Sequence, residues 1–599
     1  MTFLGKLVLP RSARRWLTSA SGLLLPTGTA EAEADHPATR YINTFVTHEE
    51  LYGERLNEEQ ISELLGSMSA YDCLAIIGRI SCMIHTAPRF DTERQLQILE
   101  RFGWQEGLRE VVGRGLESDG QRLLFFPQQL VHLARLVVRH ADLRPADNFA
   151  EGELIEDFAT CILGVSDLLE EGDLDDPHRL ESVVPWITRQ WAINGRDDSV
   201  LLWTRYYDVL VRTWNDVATP EAFDAAEAFQ RYTGITLQDW LSVGFAVFVR
   251  FFNYGGGASN DYFLSPEQWF SESAVSEEVW WAFLDRNSQT LEECRGSVAK
   301  EEEAYGPTMY RSQTFESKPL LSFPDGRLIP LALDAIQRRA TEGMFFELAD
   351  GAVDEGHPRE HFTSPFGRVF EEFVQRSFER MFPPVGVRRV YRPVKYERDG
   401  DTVESSDAVL DLAPDIAFVE VVARRPRVAT LTRGDFTTFL EDLESGVLRK
   451  ARQLHLNISD FRSGILEFEH LRGDTVGVTW PVLVIVEGFP IMPPIPGLIE
   501  SRLDERGELR GGPALAIMSA EDLALLEALL LAGFSALELL RAWRAEGLRD
   551  LPFQNFLDAL DDPRVGQARR ASFFTETWNE LTEMIVEQLL PGKEAPRLE

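Results

Sequence analysis

The chain has 599 residues, 97 of them acidic and 60 basic, for a formal charge of −37. Such a surface excludes a protein that binds nucleic acid or an anionic membrane over its whole face, so any contact with nucleic acid must be local. A hydrophobic share of 44% excludes global disorder, and the length allows several domains with sizeable cores.

Residues 1–36 carry Arg11, Arg14 and Arg15 but only the short apolar run Leu23-Leu24-Leu25. That run is too short for a secretory core, and a flexible leader is expected. Residues 37–300 read as an acidic all-helical domain. Thr47-His48-Glu49-Glu50 has capping-box spacing, and apolar residues recur at helical intervals from Ile61 through Ile84. Pro127 opens a segment with Leu130, Leu133, Val137 and Val138 on one face. Further helices are predicted near 152–166, 197–215, 220–232, 236–252 and 276–290, with Thr219-Pro220-Glu221 as a start signal. Gly255-Gly256-Gly257 lacks the strand and lysine of a phosphate cradle and reads as a loop. Trp240–Phe252 and Leu523–Leu540 are the best apolar runs, but Arg250, Glu527 and Glu538 interrupt them before membrane length. Cys73, Cys82, Cys161 and Cys294 have no zinc-ligand spacing, and a reduced cytoplasmic setting is expected.

From about residue 300 proline and glycine become frequent and short β-rich runs appear, so 301–599 reads as an α/β region. Leu320–Phe323 and Leu328–Leu331 flank Pro324-Asp325-Gly326 and predict a hairpin. A helix over Ser364–Phe382 follows, then strands near 387–397, 406–412 and 416–423, helices near 435–458, and strands at Val482–Val486 and Ala514–Met518. The expected fold class is therefore multidomain α + α/β.

Four residues in this second half carry chemistry. Glu371 flanks the apolar face of its helix, where it can reach a neighbouring site or simply pair with an arginine. Asp407 opens one strand, and Glu420 lies thirteen residues later inside the apolar strand Phe418-Val419-Glu420-Val421-Val422. A carboxylate there needs a metal or another partner, an arginine being the plain alternative. On adjacent strands, Asp407 and Glu420 could hold one Mg²⁺ through oxygen ligands. Lys450 is one of six lysines in the chain and flanks the apolar face of its helix, with Gln453 nearby. It either enters the site or snorkels to solvent. Between Arg380 and His455 the net charge is +1, from clusters at Arg388-Arg389-Arg392-Lys395, Arg424-Arg425-Arg427 and Arg449-Lys450-Arg452. These could hold a phosphate backbone or pair with the acids of the helical half. His357 and His361 stand four apart, but Pro358 and the lack of a zinc motif favour a surface pair.

Helix-Glu371, strand-Asp407, strand-Glu420-Val421-Val422 and helix-Lys450 together resemble the PD-(D/E)XK nuclease superfamily, over a core at about 364–545. Pro414-Asp415 spells the first letters of that motif but stands too close to Glu420, and Asp407 is preferred. The sequence departs from the family pattern where Val422 replaces the usual lysine; some members carry that lysine on the following helix, the place of Lys450. The resemblance implies a restriction-endonuclease-like mixed-sheet domain. It implies a Mg²⁺- or Mn²⁺-dependent hydrolase of phosphodiester bonds, with DNA as the expected substrate and nucleic-acid defence or processing as the setting. Asp407 and Glu420 would bind metal, with Glu371 assisting and Lys450 stabilising charge. The alternative is a nuclease-like module without catalysis, in which the acidic helices bind a protein partner. The enzyme reading requires Lys450 to reach the two carboxylates; the alternative leaves it in solvent.

Overall fold

The computed structural model describes residues 43–86, 92–102, 113, 122–144, 156–171, 180–194, 199–217, 223–259, 261–306, 312–384, 389–433, 435–486, 489–492, 494–545, 548–560, 562–568, 572–595 and 597. Before residue 43 it describes the strands Val8–Pro10, Trp16–Thr18 and Leu24–Pro26, so the expected leader lies mostly outside the described residues.

The first half is helical. Thr47 caps its helix by accepting the Glu50 N–H at 3.2 Å, and Pro127 opens the helix Pro127–His140 as expected. Helix α1 (Ala70–His85) is buried along most of its length. Helix α2 (Leu180–Asn194) falls between the predicted segments, because Pro185 interrupts its pattern. The start expected at Pro220 lies outside the described residues, and the next described helix begins at Ala225 under an Asp224 cap. Helix α3 (Leu237–Gly255) crosses α1 closely. A Cβ on Gly255 would stand 2.2 Å from the Cys82 carbonyl oxygen, and one on Gly78 would stand 2.1 Å from the Tyr262 hydroxyl. Gly255, expected in a loop, therefore belongs to the helix and permits its contact with α1. All four cysteines are buried and unpaired.

Strands β1 (Ser288–Thr290), β2 (Leu320–Ser322) and β3 (Leu328–Pro330) form one sheet. β2 and β3 are the predicted hairpin around Pro324-Asp325-Gly326. β1, from before residue 300, pairs with β2, and Leu264 bridges to Leu328. The hairpin thus packs into the core of the helical half, through Leu320, Leu321, Leu328 and Ile329.

Helix α4 (Glu360–Met381) begins four residues ahead of the predicted Ser364. It buries Phe366, Val369, Phe370, Phe373, Val374 and Phe378, each worth about 1.5–3 kcal/mol of apolar burial. The strand expected over 387–397 divides. β4 (Val390–Tyr391) ends before Pro393, and a separate exposed hairpin follows, β5 (Lys395–Arg398) and β6 (Asp401–Glu404). Proline cannot donate to a ladder, and Asp399-Gly400, both at positive φ, makes the tight turn.

Strands β7 (Ala408–Leu412) and β8 (Asp415–Val422) lie inside a five-stranded sheet with β9 (Thr479–Ile485) and β10 (Ala516–Ser519). Its order is β10-β9-β8-β7-β4, with β8, β9 and β10 parallel and β7 antiparallel to both neighbours. All eight residues of β8 are buried because both sheet faces are covered. Val419, Val421, Val482 and Val484 face α4. Phe418, Val422, Leu483 and Ile485 face helix α5 (Arg449–Arg462), in a cluster that also takes in Val183, Val184 and Ile187 of α2. A π-helical segment, Glu444–Leu448, leads into α5. Helix α6 (Ala520–Leu531) follows β10, and helix α7 (Ser572–Leu589) returns to the helical half, where Arg212 donates to Thr577 at 3.0 Å.

Among the described residues no single helix is long and apolar enough to cross a membrane. The bent pair Ala225–Thr233 and α3 passes that test together, and Trp240, Leu241, Val247 and Phe251 of α3 are buried in the protein core. If the α1–α3 contact organises the helical half, Gly255→Ala will lower unfolding stability by about 1–3 kcal/mol in a denaturant titration. Gly256→Ala, whose added Cβ would meet nothing nearer than 3.5 Å, will change it by less than the Gly255 variant.

Candidate active site

Asp407 stands one residue before β7, and the register Ala408↔Val419 carries it opposite Glu420. Its Oδ2 accepts the Val421 N–H at 2.7 Å, which fixes the carboxylate against β8. Glu420 shares a face with Phe418 and Val422, as strand alternation requires, and that face lies under α5. From the first turn of α5, Lys450 Nζ donates to Asp407 Oδ2 at 3.0 Å and to Glu420 Oε2 at 2.8 Å. Glu420 is 0% exposed, Asp407 8% and Lys450 9%.

Two turns further along α5, Asn457 donates its amide to Glu420 Oε1 at 3.3 Å and to Ser406 Oγ at 3.1 Å. From the opposite layer, Gln375 on α4 donates to the Asp407 carbonyl at 2.8 Å. Glu371 lies one turn before Gln375, half-buried, and interacts electrostatically with Asp407 and Lys450. The four residues singled out in the sequence are therefore neighbours in space, drawn from α4, the start of β7, the middle of β8 and α5.

Three carboxyls share one ammonium in a buried place. Burial, reinforced by the Asp407 charge and opposed by Lys450, pushes Glu420 up to about 8. Burial and the same Asp407 charge push Glu371 up to about 7. Burial works against the Lys450 charge, but Glu420 and Asp407 outweigh it and hold the ammonium above its usual range.

The donor chemistry suits a hard divalent cation. Two carboxylate oxygens converge on one positive atom, Lys450 Nζ, and Glu371 is a third carboxylate within electrostatic reach. Among the described residues no group of three or more His, Cys, Asp or Glu side chains is arranged as a metal site. Mg²⁺ does not need one, since it is commonly held by one or two carboxylates together with water and substrate phosphate.

The other candidates separate cleanly. Asp415 is a structural pin, accepting from the Val478 N–H at 3.0 Å, Trp480 Nε1 at 3.1 Å and Arg541 at 2.8 Å. Val422 lies in the core beside Gly446. His357 and His361 stack on each other, with ring centroids 4.4 Å apart. Much of the basic charge is already paired, largely with acids of its own half rather than of the helical half. Arg392 meets Glu372 and Glu379, Arg427 meets Asp442 and Glu441, and Arg452 approaches Glu508. Arg425 meets Glu342 at 3.1 Å. Arg388 lies outside the described residues.

Sequence reasoning missed Asn457 and Gln375. Asn457 is seven residues from Lys450, two helical turns, and Gln375 is four from Glu371, so helical phasing was the available signal. The chain matches no known protein-family model, no curated protein and no solved structure.

Two outcomes follow for the metal-free protein. Lys450→Ala leaves buried carboxylates without their cation and will cost about 3–5 kcal/mol in urea unfolding. Glu420 keeps its proton to about pH 8 when folded but releases it near 4.5 when unfolded, so the folded state binds more protons in between. Its stabilising contribution is present below pH 4.5 and is lost as pH rises through about 8. Glu420→Gln will flatten that fall, measured as melting temperature against pH in chelator.

Proposed function

We propose that this protein is a divalent-metal-dependent nuclease that hydrolyses phosphodiester bonds, with DNA as its substrate. The observation that carries this reading is the placement of Lys450 Nζ at 3.0 and 2.8 Å from Asp407 and Glu420. A lysine supplied from the helix after β8 restores the positive charge missing at Val422. A three-stranded antiparallel run β4-β7-β8, a crossover through α5 and the parallel strand β9 agree with the restriction-endonuclease-like core that the motif implies.

Asp407 and Glu420 are the residues that would hold Mg²⁺ or Mn²⁺. When bound, the cation would supply Lewis-acid stabilisation of charge on the phosphate and lower the pKa of water. Lys450, held protonated by its partners, serves as a fixed positive charge for a phosphate oxygen and not as a base. Glu371 titrates nearest neutrality and is the group suited to take a proton from the attacking water. The acidic helical half would restrict nucleic acid to this one neutral-to-basic region and offers its own surface to a protein partner.

A second reading has its own support. Glu420 is fully buried and the Lys450 triad satisfies it, as a structural ion cluster would be satisfied. In that case the chain is a nuclease-like binding or assembly module without catalysis, with Lys450 buried in the cluster rather than in solvent as first expected for it.

Incubating the protein with plasmid and single-stranded DNA and Mg²⁺ or Mn²⁺ separates the two. Metal-dependent cutting that falls by about 100-fold or more in both Glu420→Ala and Lys450→Ala supports the nuclease. Cutting lost in Glu420→Ala alone removes Lys450 from the mechanism. No cutting by the unaltered chain, with metal binding intact, favours the binding module.

A further inference from the structure

The β5–β6 hairpin stands outside the five-stranded sheet and is largely exposed, yet a chain of hydrogen bonds runs from it into the candidate site. Arg398 closes β5 just before the Asp399-Gly400 turn. Its Nε is bound to Asp460, and its Nη2 donates to Asn457 Oδ1 at 3.1 Å. Tyr396, also on β5, places its hydroxyl 2.9 Å from the same Oδ1 and 2.7 Å from Asp460. Asn457 is 1% exposed, and its other end meets Glu420 Oε1 and Ser406 Oγ.

We propose that the hairpin sets the orientation of Glu420, with Arg398 and Asn457 as positioning residues; this rests on the reading of Glu420 as a metal carboxylate. An amide is asymmetric, with an acceptor at one end and donors at the other. A guanidinium only donates, so the end of Asn457 that faces Arg398 must be its oxygen. The NH₂ end must then face Glu420, whose Oε1 accepts it while Oε2 accepts from Lys450. An amide turned the other way would set an oxygen against the carboxylate and an NH₂ against the guanidinium, so both contacts would be lost. Arg398 thereby decides which atom Glu420 meets. Glu420 is held at Oε1 by Asn457 and at Oε2 by Lys450, which fixes the plane of its carboxylate. Asp460, on the same helix as Asn457, anchors Arg398 through Nε and leaves Nη2 aimed at the amide. A ligand that moves the exposed hairpin moves Arg398, and the change is felt at a carboxylate that is itself fully buried.

The test uses the full chain and Mn²⁺, with affinity read from the rise in melting temperature with metal concentration. Arg398→Met and Asn457→Ala should each weaken Mn²⁺ binding by about 10-fold or more, the usual effect of losing a group that orients a metal ligand. The double variant should bind no more weakly than Asn457→Ala alone, because Arg398 acts through Asn457. Arg398→Lys, still a pure donor, should keep most of the affinity. Wild-type affinity in both Arg398→Met and Arg398→Gln, or losses that add in the double variant, would overturn the proposal. If the unaltered chain binds no Mn²⁺, the metal reading itself fails, and the relay is judged by unfolding in chelator. There Arg398→Met should cost less in a Glu420→Gln background, since a glutamine can satisfy either orientation of the Asn457 amide. Equal cost in both backgrounds would overturn the relay independently of any metal.

Discussion

Glu420 occupies the middle of a central strand, with no exposure to water, and a charge there has few ways to be tolerated. Lys450 supplies the charge partner, and Asp407 shares it. Taking such groups out of water costs several kcal/mol each, and their mutual attraction offsets that only with good geometry and satisfied lone pairs. The surrounding structure meets both conditions. The β7–β8 register sets the two carboxylates side by side, the Val421 N–H and Asn457 amide occupy remaining lone pairs, and the phasing of α5 brings the ammonium between them. A register slip of one residue would turn Glu420 to the face of Val419 and Val421, against the aromatic surface of α4.

The same constraint explains how the layers cooperate. α4 buries its phenylalanines on one sheet face and still sends Gln375 and Glu371 around the start of β7. α5 buries Ala451, Leu454 and Phe461 on the other face while Lys450 and Asn457 point at the carboxylates. Beyond the end of β8, Arg425 reaches Glu342 and lies 4.8 Å from the Phe345 ring centroid. The loop that leaves the candidate site is thus tied to helices that pack into the core of the helical half. Val183, Val184 and Ile187 of α2 make a second tie, in the cluster that contains Phe439 and Val447.

Much of this was legible in the chain. Apolar periodicity located α1, α3, α4 and α5 and the strands β7, β8, β9 and β10, since those segments bury a regular face and end at recognisable signals. A glutamate inside Phe418–Val422 and a scarce lysine beside an apolar helix face were visible as unusual, because buried charge is costly enough to need a reason. What escaped were features set by single residues acting on the backbone or by partners distant in sequence. Pro393 ended a strand that propensity would have continued, and Asp399-Gly400 turned the chain into a hairpin. Pro185 obscured the periodicity of α2. Gly255, read as a loop, is helical because α1 needs the space its missing side chain leaves.

The sequence by itself determined the α + α/β class, the local strand and helix faces, and the residue types capable of metal and phosphate chemistry. These follow from short-range rules, in which side-chain direction depends on a period of two or of 3.6 residues. Only the tertiary structure decided that Lys450 turns inward and that Arg392, Arg425 and Arg427 of the basic clusters sit in ion pairs. It alone revealed Asn457 as the link between an exposed hairpin and a buried carboxylate. Each of those outcomes depends on distances of about 3 Å between segments tens of residues apart, and such distances are set by sheet register and helix packing rather than by any local pattern.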